Sequence, residues 1–431
     1  MLVPMAPVGL SLLDGEFGTK RVSVSLARLR PPDDTRGGAV RIQELTSAAA
    51  VEKAIAEYDE LGGHAFRSKY DFGPSTQYYL RHSDRLYDVK AIAGAAYGYQ
   101  YPSAGHLPKT QFSGGEAGAN PVLRAMGFTV LDGHPETVEA EREWRLTVWR
   151  NLLSRRDDSG LLTPDAVRSV GAYSNFRGIW TDKARTEKIH PDGVTVGLKH
   201  TGQHYPDDLD ENGVLYHYPV TRQRGRDHGE VVATKAAATL RLPVFVITEH
   251  GDLRGVQLAW VEGWEDESSL FLVKFGEAPP AQVIDHDRSE EQPFKLEGDR
   301  RRRRRGTVVT RPDQARFKLE VFQRYGPRCP LSGIAVPQMI EAAHLRGVAD
   351  GGSSDPRNGM PMNAALHRAF DAHLFAINPD TLTAEVRPDG PSLDDLGILH
   401  PKLKLDRLPH PDALRWRYNE WLRCTGREGE G

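Results

Sequence analysis

Residues 316–380 read RFKLEVFQRYGPRCPLSGIAVPQMIEAAHLRGVADGGSSDPRNGMPMNAALHRAFDAHLFAINPD. Three polar residues, His344, Asn358 and His367, stand in it at intervals of fourteen and nine. His344 ends the apolar, strand-like run MIEAAHL, whereas His367 lies on NAALHRAFDAHL, whose apolar spacing is helical. A strand, a loop and a helix at these intervals can gather three side chains around one ion. Asp371 follows His367 by one turn and shares its helical face. None of the three is a covalent nucleophile. Such a set suits hydrolysis by water, in which a base takes the water's proton and a cation neutralises the charge that develops.

In the order A-A-H, N-G, L-H-R-x-F-D, these residues resemble the HNH nuclease family over about sixty residues. The resemblance implies a ββα-metal fold with His344 as general base, a role an imidazole fills near neutral pH. It implies His367 as a metal ligand, and Asn358 either holding the strand of His344 or reaching the metal. The implied cofactor is a divalent cation, Mg2+, Mn2+ or another divalent ion, with coordination positions open to phosphate and water. Many relatives carry Asp or His directly before the base, where this chain has Ala343, so Glu341, Asn363 or Asp371 is expected to supply the missing donor. His373 is expected to be structural. Cys329 and Cys424 are the only cysteines, which excludes a four-cysteine zinc knuckle and a disulfide framework. Cys329 begins a Cys-x-x-Ser turn in which Ser332 stands where zinc-stabilised relatives have their second cysteine, and it is expected to be simply buried.

Upstream, residues 276–299 are rich in Pro, Glu and Asp and run into Arg300, Arg301, Arg302, Arg303, Arg304 and Arg305. The net charge of −3 conceals an asymmetry, because residues 300–431 carry 22 Lys and Arg against 16 Asp and Glu. A linker followed by a phosphate-contacting basic arm is expected here.

Between Gly171 and Phe275 the runs GVTVGL, VLYHY, LPVFVIT, VQLAWVEGW and SLFLVKF alternate with Gly-, Asp- and Pro-rich turns, which predicts a mainly β domain with one helix at EVVATKAAATL. The stretch GVTVGLKHTGQHYPDDLDENGVLYHYPVTRQRGRD resembles the SRA fold, a reader of 5-methylcytosine that flips the base out of the duplex. The resemblance implies Tyr205 and Tyr218 as the two aromatic faces around the base and Asp208 as acceptor of the cytosine amine. Pro219-Val220-Thr221 replaces the usual Thr-Gly-Ser, and Gly225-Arg226-Asp227 is expected to be a stabilising turn.

A helical pattern from Glu44 to Gly62, with Val51, Ile55 and Leu61 on one face, another from Val89 to Tyr97, and a short strand in FTVL predict a small α/β domain. Its segments YDVKAIAGAAYG and FSGGEAGANPVLRAMGF resemble the leading domain of McrA-type modification-dependent restriction enzymes. The sulfur-binding module of some relatives has no room, because only about forty residues separate GFTVL from Tyr173, so recognition of phosphorothioate DNA is not expected.

The expected architecture is a multidomain α/β chain: a leader over 1–41 that is poorly ordered, an α/β head over 42–132, an SRA-like reader over 140–280, a linker and basic arm over 281–305, and an HNH nuclease over 306–431. The resemblances imply a type IV restriction endonuclease acting on double-stranded DNA with 5-methyl- or 5-hydroxymethylcytosine. The alternatives are a modified-DNA binding protein without activity and an HNH nuclease acting on unmodified nucleic acid. No apolar run approaches the roughly 18 residues of a membrane span, and no signal peptide is recognisable, so a cytoplasmic protein is expected. One HNH site nicks one strand, which leaves room for a homodimer in double-strand cutting.

Overall fold

The computed structural model describes residues 41–174, 178–200, 209, 211–221, 223–280, 292–298 and 314–427. Its first elements are α1 (Ala48–Leu61), α2 (Gly63–Tyr70), β1 (Tyr78–His82), β2 (Arg85–Asp88), α3 (Val89–Gln100), α4 (Ala119–Ala125) and β3 (Thr129–Asp132). The strands form an antiparallel sheet of order β2-β1-β3. Helix α1 starts where the Ser47 hydroxyl caps the amide of Ala50 and ends at Gly62, whose φ of 77° suits glycine. Val51, Ile55 and Tyr58 form its buried stripe. Leu61, expected on that stripe, is exposed, because the last turn already points past the core. The Tyr58 hydroxyl donates to Asp88, and Arg67 joins Asp88 to Asp165 at 2.8 Å each, tying α2 to helix α6 (Pro164–Arg168).

Helix α5 (Val138–Ser154) buries Trp144, Val148 and Leu152, which recur at helical spacing. It also buries Glu141 between Arg145 and Arg185, the latter on the short helix α7 (Lys183–Thr186), while Arg145 donates to the carbonyls of Thr195 and Pro243. The next strands are β4 (Ile179–Thr181), β5 (Thr195–His200), β6 (Gly213–His217), β7 (Val244–His250), β8 (Leu253–Glu265) and β9 (Leu270–Phe275), with helix α8 (Arg224–Thr239) between β6 and β7. They make one sheet of order β4-β5-β7-β8-β9-β6, in which only β5 and β7 run parallel. All five expected strand runs are present.

The two-residue period of a strand sorts their side chains. Val214, Tyr216, Val244, Val246, Phe271 and Val273 pack with α8 on one face. On the other, Val196, Phe245, Ile247 and Leu258 pack against α5. Burial of both faces explains why these strands are continuous apolar runs. Within Gly171–Phe275 the described elements are these six strands, α8 at the expected helix and the four-residue α7, and the helices that cover the other face come from outside that span.

The remaining elements are α9 (Gln314–Tyr325), β10 (Ile340–His344), β11 (Gly359–Asn363), α10 (Ala364–Asp371), β12 (Phe375–Ile377), β13 (Ala384–Val386) and α11 (Pro411–Cys424). Phe317, Leu319, Val321 and Phe322 of α9 are all buried, a wider stripe than one neighbour needs, because α9 packs on two. Its core is shared with the β10–β11 hairpin and with Leu215, Leu270 and Leu272 from the outer face of β6 and β9. Gln323 Nε2 donates to the Trp264 carbonyl at 2.8 Å, and Arg316 reaches Glu262 at 3.3 Å.

Part of the expected linker is folded onto this unit. Phe294 stacks on His410 with ring centroids 3.8 Å apart, Leu296 packs on the same core, and Gly298 N–H donates to the Gly351 carbonyl. Of the expected leader over 1–41 all but Arg41, with the rest of the linker and the six arginines, lies outside the described residues. No described helix is long and apolar enough to cross a membrane.

Candidate active site

Strands β10 and β11 pair antiparallel in a register that sets His344 opposite Gly359 and Ile340 opposite Asn363. Strand alternation puts Ile340, Ala342 and His344 on one face and Glu341 and Ala343 on the other. The His344 imidazole lies flat on Phe317 of α9, with ring centroids 3.7 Å apart and planes 10° apart. Gly359 makes that contact feasible, since a Cβ there would fall 2.3 Å from Phe317 Cζ. The Asn-Gly pair of the motif thereby acquires a physical reason for its second letter.

Its first letter is a clamp. Asn358 is fully buried; its Oδ1 accepts the Arg346 amide at 3.0 Å, and its Nδ2 donates to the carbonyls of Arg346 at 3.0 Å and Ser353 at 2.8 Å. The Asn358 carbonyl also accepts the amide of Leu345. Of the two expected roles, this geometry corresponds to holding the chain just after His344. The expectation that Asn358 reaches a metal is corrected, because its amide is spent on backbone inside the core.

His367 is on α10, which Asn363 caps by accepting the amide of Leu366. The same Asn363 donates from Nδ2 to Ser332 Oγ at 2.8 Å, closing the Cys329–Ser332 turn by hydrogen bonding where relatives use zinc, and Cys329 is buried as expected. Asn363 is thus a cap and not a candidate ligand. His367 Nδ1 stands 2.7 Å from Glu341 Oε2, and Nε2 stands 3.5 Å from Asp371 Oδ2. A carboxylate accepting from Nδ1–H fixes the tautomer with its lone pair on Nε2, the side on which Asp371 lies. Glu341, expected as a direct ligand, therefore orients the imidazole through one of its oxygens.

An imidazole nitrogen beside an exposed carboxylate is a fitting donor pair for a divalent cation that keeps positions open to water and phosphate. Among the described residues no group of three or more His, Cys, Asp or Glu side chains stands ready to enclose an ion. Ala343 is fully buried and contributes no donor. Sequence reading missed one residue here, Phe317, and named Glu341 only as a candidate ligand. Phe317 carried only the signal of an apolar helix position.

Residues 329–378 match the family described as HNH endonuclease, and this span holds His344, Asn358 and His367. Residues 43–132 match the ScoMcrA-like, N-terminal head domain. The chain carries an HNH endonuclease domain and a ScoMcrA-like head domain. It is accordingly an endonuclease, of a class that works with divalent metal ions. Two similar solved structures are titled "Modification dependent TagI restriction endonuclease" and "Structure of the Type IV phosphorothioation-dependent restriction endonuclease ScoMcrA". The first is 18% identical, with 60% of this chain and 90% of that one covered and a TM-score of 0.27. The second is 15% identical, with 88% and 100% covered and a TM-score of 0.22. TM-scores this low establish no common arrangement. No curated protein matches the chain.

Away from the HNH endonuclease domain, Tyr218 follows β6 with its ring against Phe271, at a centroid distance of 4.4 Å, and its hydroxyl donates to Asp266 at 2.9 Å. Burial and Asp266 together push the Tyr218 hydroxyl up from its ordinary pKa. Tyr205 and Asp208, the other expected pocket residues, lie outside the described residues. Gly225, Arg226 and Asp227, expected as a stabilising turn, form instead the first turn of α8, where Asp227 accepts from the Thr221 amide and hydroxyl.

Proposed function

We propose that the protein is a type IV restriction endonuclease that cleaves DNA carrying modified cytosine, with His344, Asn358 and His367 at the heart of its HNH site. The observation that carries the nuclease assignment is the pairing of His367 with Glu341 on one ring nitrogen and Asp371 beside the other. His367 and Asp371 would hold a divalent cation, Mg2+ or Mn2+. When bound, it would neutralise charge on the phosphate oxygens and the leaving group. His344, at the end of β10, takes the proton from the attacking water. Glu341 would accept from Nδ1–H of His367 and so turn Nε2 towards the cation, and Asn358 keeps the chain after His344 in place.

The work is divided among a head over 42–132, an SRA-like reader over 140–280, the arm Arg300–Arg305 on DNA phosphates, and the nuclease over 306–431. Support for the reader is the Gly-x-x-Tyr-x-Asp-Asp-x-Asp stretch, with Tyr205 and Tyr218 stacking on a flipped base and Asp208 accepting from its amine. Phe271 and Asp266 would hold Tyr218 rigid as one wall of that pocket. Extruding a base costs a few kcal/mol, which stacking on two faces offsets. Double-strand cutting would draw on two chains, as in a homodimer.

The deciding experiment is cleavage, with Mg2+ or Mn2+, of matched duplexes that differ only in cytosine modification. Equal cutting of modified and unmodified DNA would overturn the reader and leave the nuclease standing. No cutting of either would favour a modified-DNA binding protein.

A further inference from the structure

The proposed base, His344, is held by an element that lies outside the matched HNH span. Helix α9 ends at Tyr325, before residue 329, yet its Phe317 supplies the surface on which the His344 imidazole rests. An imidazole flat against another ring resists rotation about its Cβ–Cγ bond, because the turn would drive its edge into that ring. Phe317 itself has no freedom. It is 1% exposed, its Cζ is pressed against the backbone at Gly359, and its helix is seated on the six-stranded sheet through Leu215, Leu270 and Leu272. The hydrogen bond of Gln323 to Trp264 and the ion pair of Arg316 with Glu262 fasten the same helix.

We propose that Phe317 is a positioning residue for the hydrolysis reaction: it fixes the plane of the His344 imidazole, and the middle sheet holds it there through α9. The inference rests on the reading of His344 as general base. A base must meet its proton within hydrogen-bond reach, and a displacement of about 1 Å can cost on the order of 100-fold in rate. Truncating Phe317 frees the imidazole to tilt without touching the groups that bind metal or phosphate. The loss therefore falls on kcat and spares KM.

The test is a double-mutant cycle on the full chain, read as the steady-state rate of plasmid nicking over a range of DNA concentrations with saturating Mg2+ or Mn2+. Phe317→Leu should lower kcat by about 10-fold or more with KM within about 2-fold. In a His344→Ala background the same substitution should cost under about 2-fold, because the group it positions is gone. Gly359→Ala displaces the Phe317 ring without removing it and should reproduce the kcat loss, which keeps the test intact if Phe317→Leu fails to fold. Equal losses from Phe317→Leu with and without His344, or full kcat in both Phe317→Leu and Gly359→Ala, would overturn the inference. Full activity of His344→Ala alone would instead overturn the base assignment.

Discussion

Glu341 and His367, 26 residues apart in sequence, meet at 2.7 Å between Oε2 and Nδ1. One sits on the first strand of the hairpin and the other on the helix after it, so their contact closes the ββα unit with a functional bond. The carboxylate decides which imidazole nitrogen faces outward. A metal site depends on such partners almost as much as on its ligands.

The first prediction follows from that pair. Glu341→Gln should weaken the apparent affinity for Mg2+ or Mn2+ by ~10–100-fold in a nicking assay titrated with metal, with the maximal rate largely recovered at high metal. His367→Ala should remove activity at every metal concentration tested. Nicking undiminished by a chelator would contradict the site altogether.

Base and reader should respond to different substitutions. His344→Ala should lower hydrolysis by ~10² or more while leaving binding of modified DNA in place. Tyr205→Ala, which removes a stacking face worth about 1 to 3 kcal/mol, and Asp208→Ala should erase the preference for modified DNA in competition binding while metal-dependent nicking remains. Preserved preference in both would remove the pocket from these residues.

Asn358→Ala distinguishes a clamp from a ligand. Loss of three hydrogen bonds to the Arg346 and Ser353 backbone, the one to Ser353 buried and the two to Arg346 partly so, should cost stability, with about 1 to 3 kcal/mol for each buried group left without a partner. Calorimetric unfolding would measure this. The metal dependence of any remaining nicking should be unchanged, and a large rise in the metal concentration required would return Asn358 to the ligands.

Glu141 makes a prediction about pH. Burial by itself would raise its carboxyl, but Arg145 and Arg185 outweigh that and hold it below the usual carboxylate range. Burial presses Arg145 the other way despite Glu141, yet a guanidinium keeps its proton throughout this range. A carboxylate with a lowered folded pKa contributes stability that is present above its unfolded pKa of about 4.3 and is lost as pH falls through the folded value. Denaturant unfolding of the wild type should therefore show a stability loss beginning below about pH 4 that Glu141→Gln lacks. At neutral pH the variant should be less stable by ~3–5 kcal/mol, because the buried Arg145 loses its counter-ion and Arg185 keeps only Asp182, at 3.5 Å.

Local pattern was enough to determine five of the six strands of the middle sheet, all but the three-residue β4, together with the helix of His367 and the spacing of His344, Asn358 and His367, because each follows from a two- or 3.6-residue period or a short motif. Apolar runs such as LPVFVIT announce strands covered on both faces, though not by what. That the covers are α5, α8 and α9 was decided by tertiary packing, and with it the wide buried stripe of α9 and the place of Phe317 beneath the imidazole of His344. The roles of Asn358 and Glu341 were likewise open in the sequence. Either residue type can bind a metal or hold a neighbour, and the choice rests on which donors and acceptors the fold brings within about 3 Å. For Asn358 these are backbone groups inside the core, and for Glu341 the Nδ1 of His367, contacts made across chain separations over which no periodicity extends.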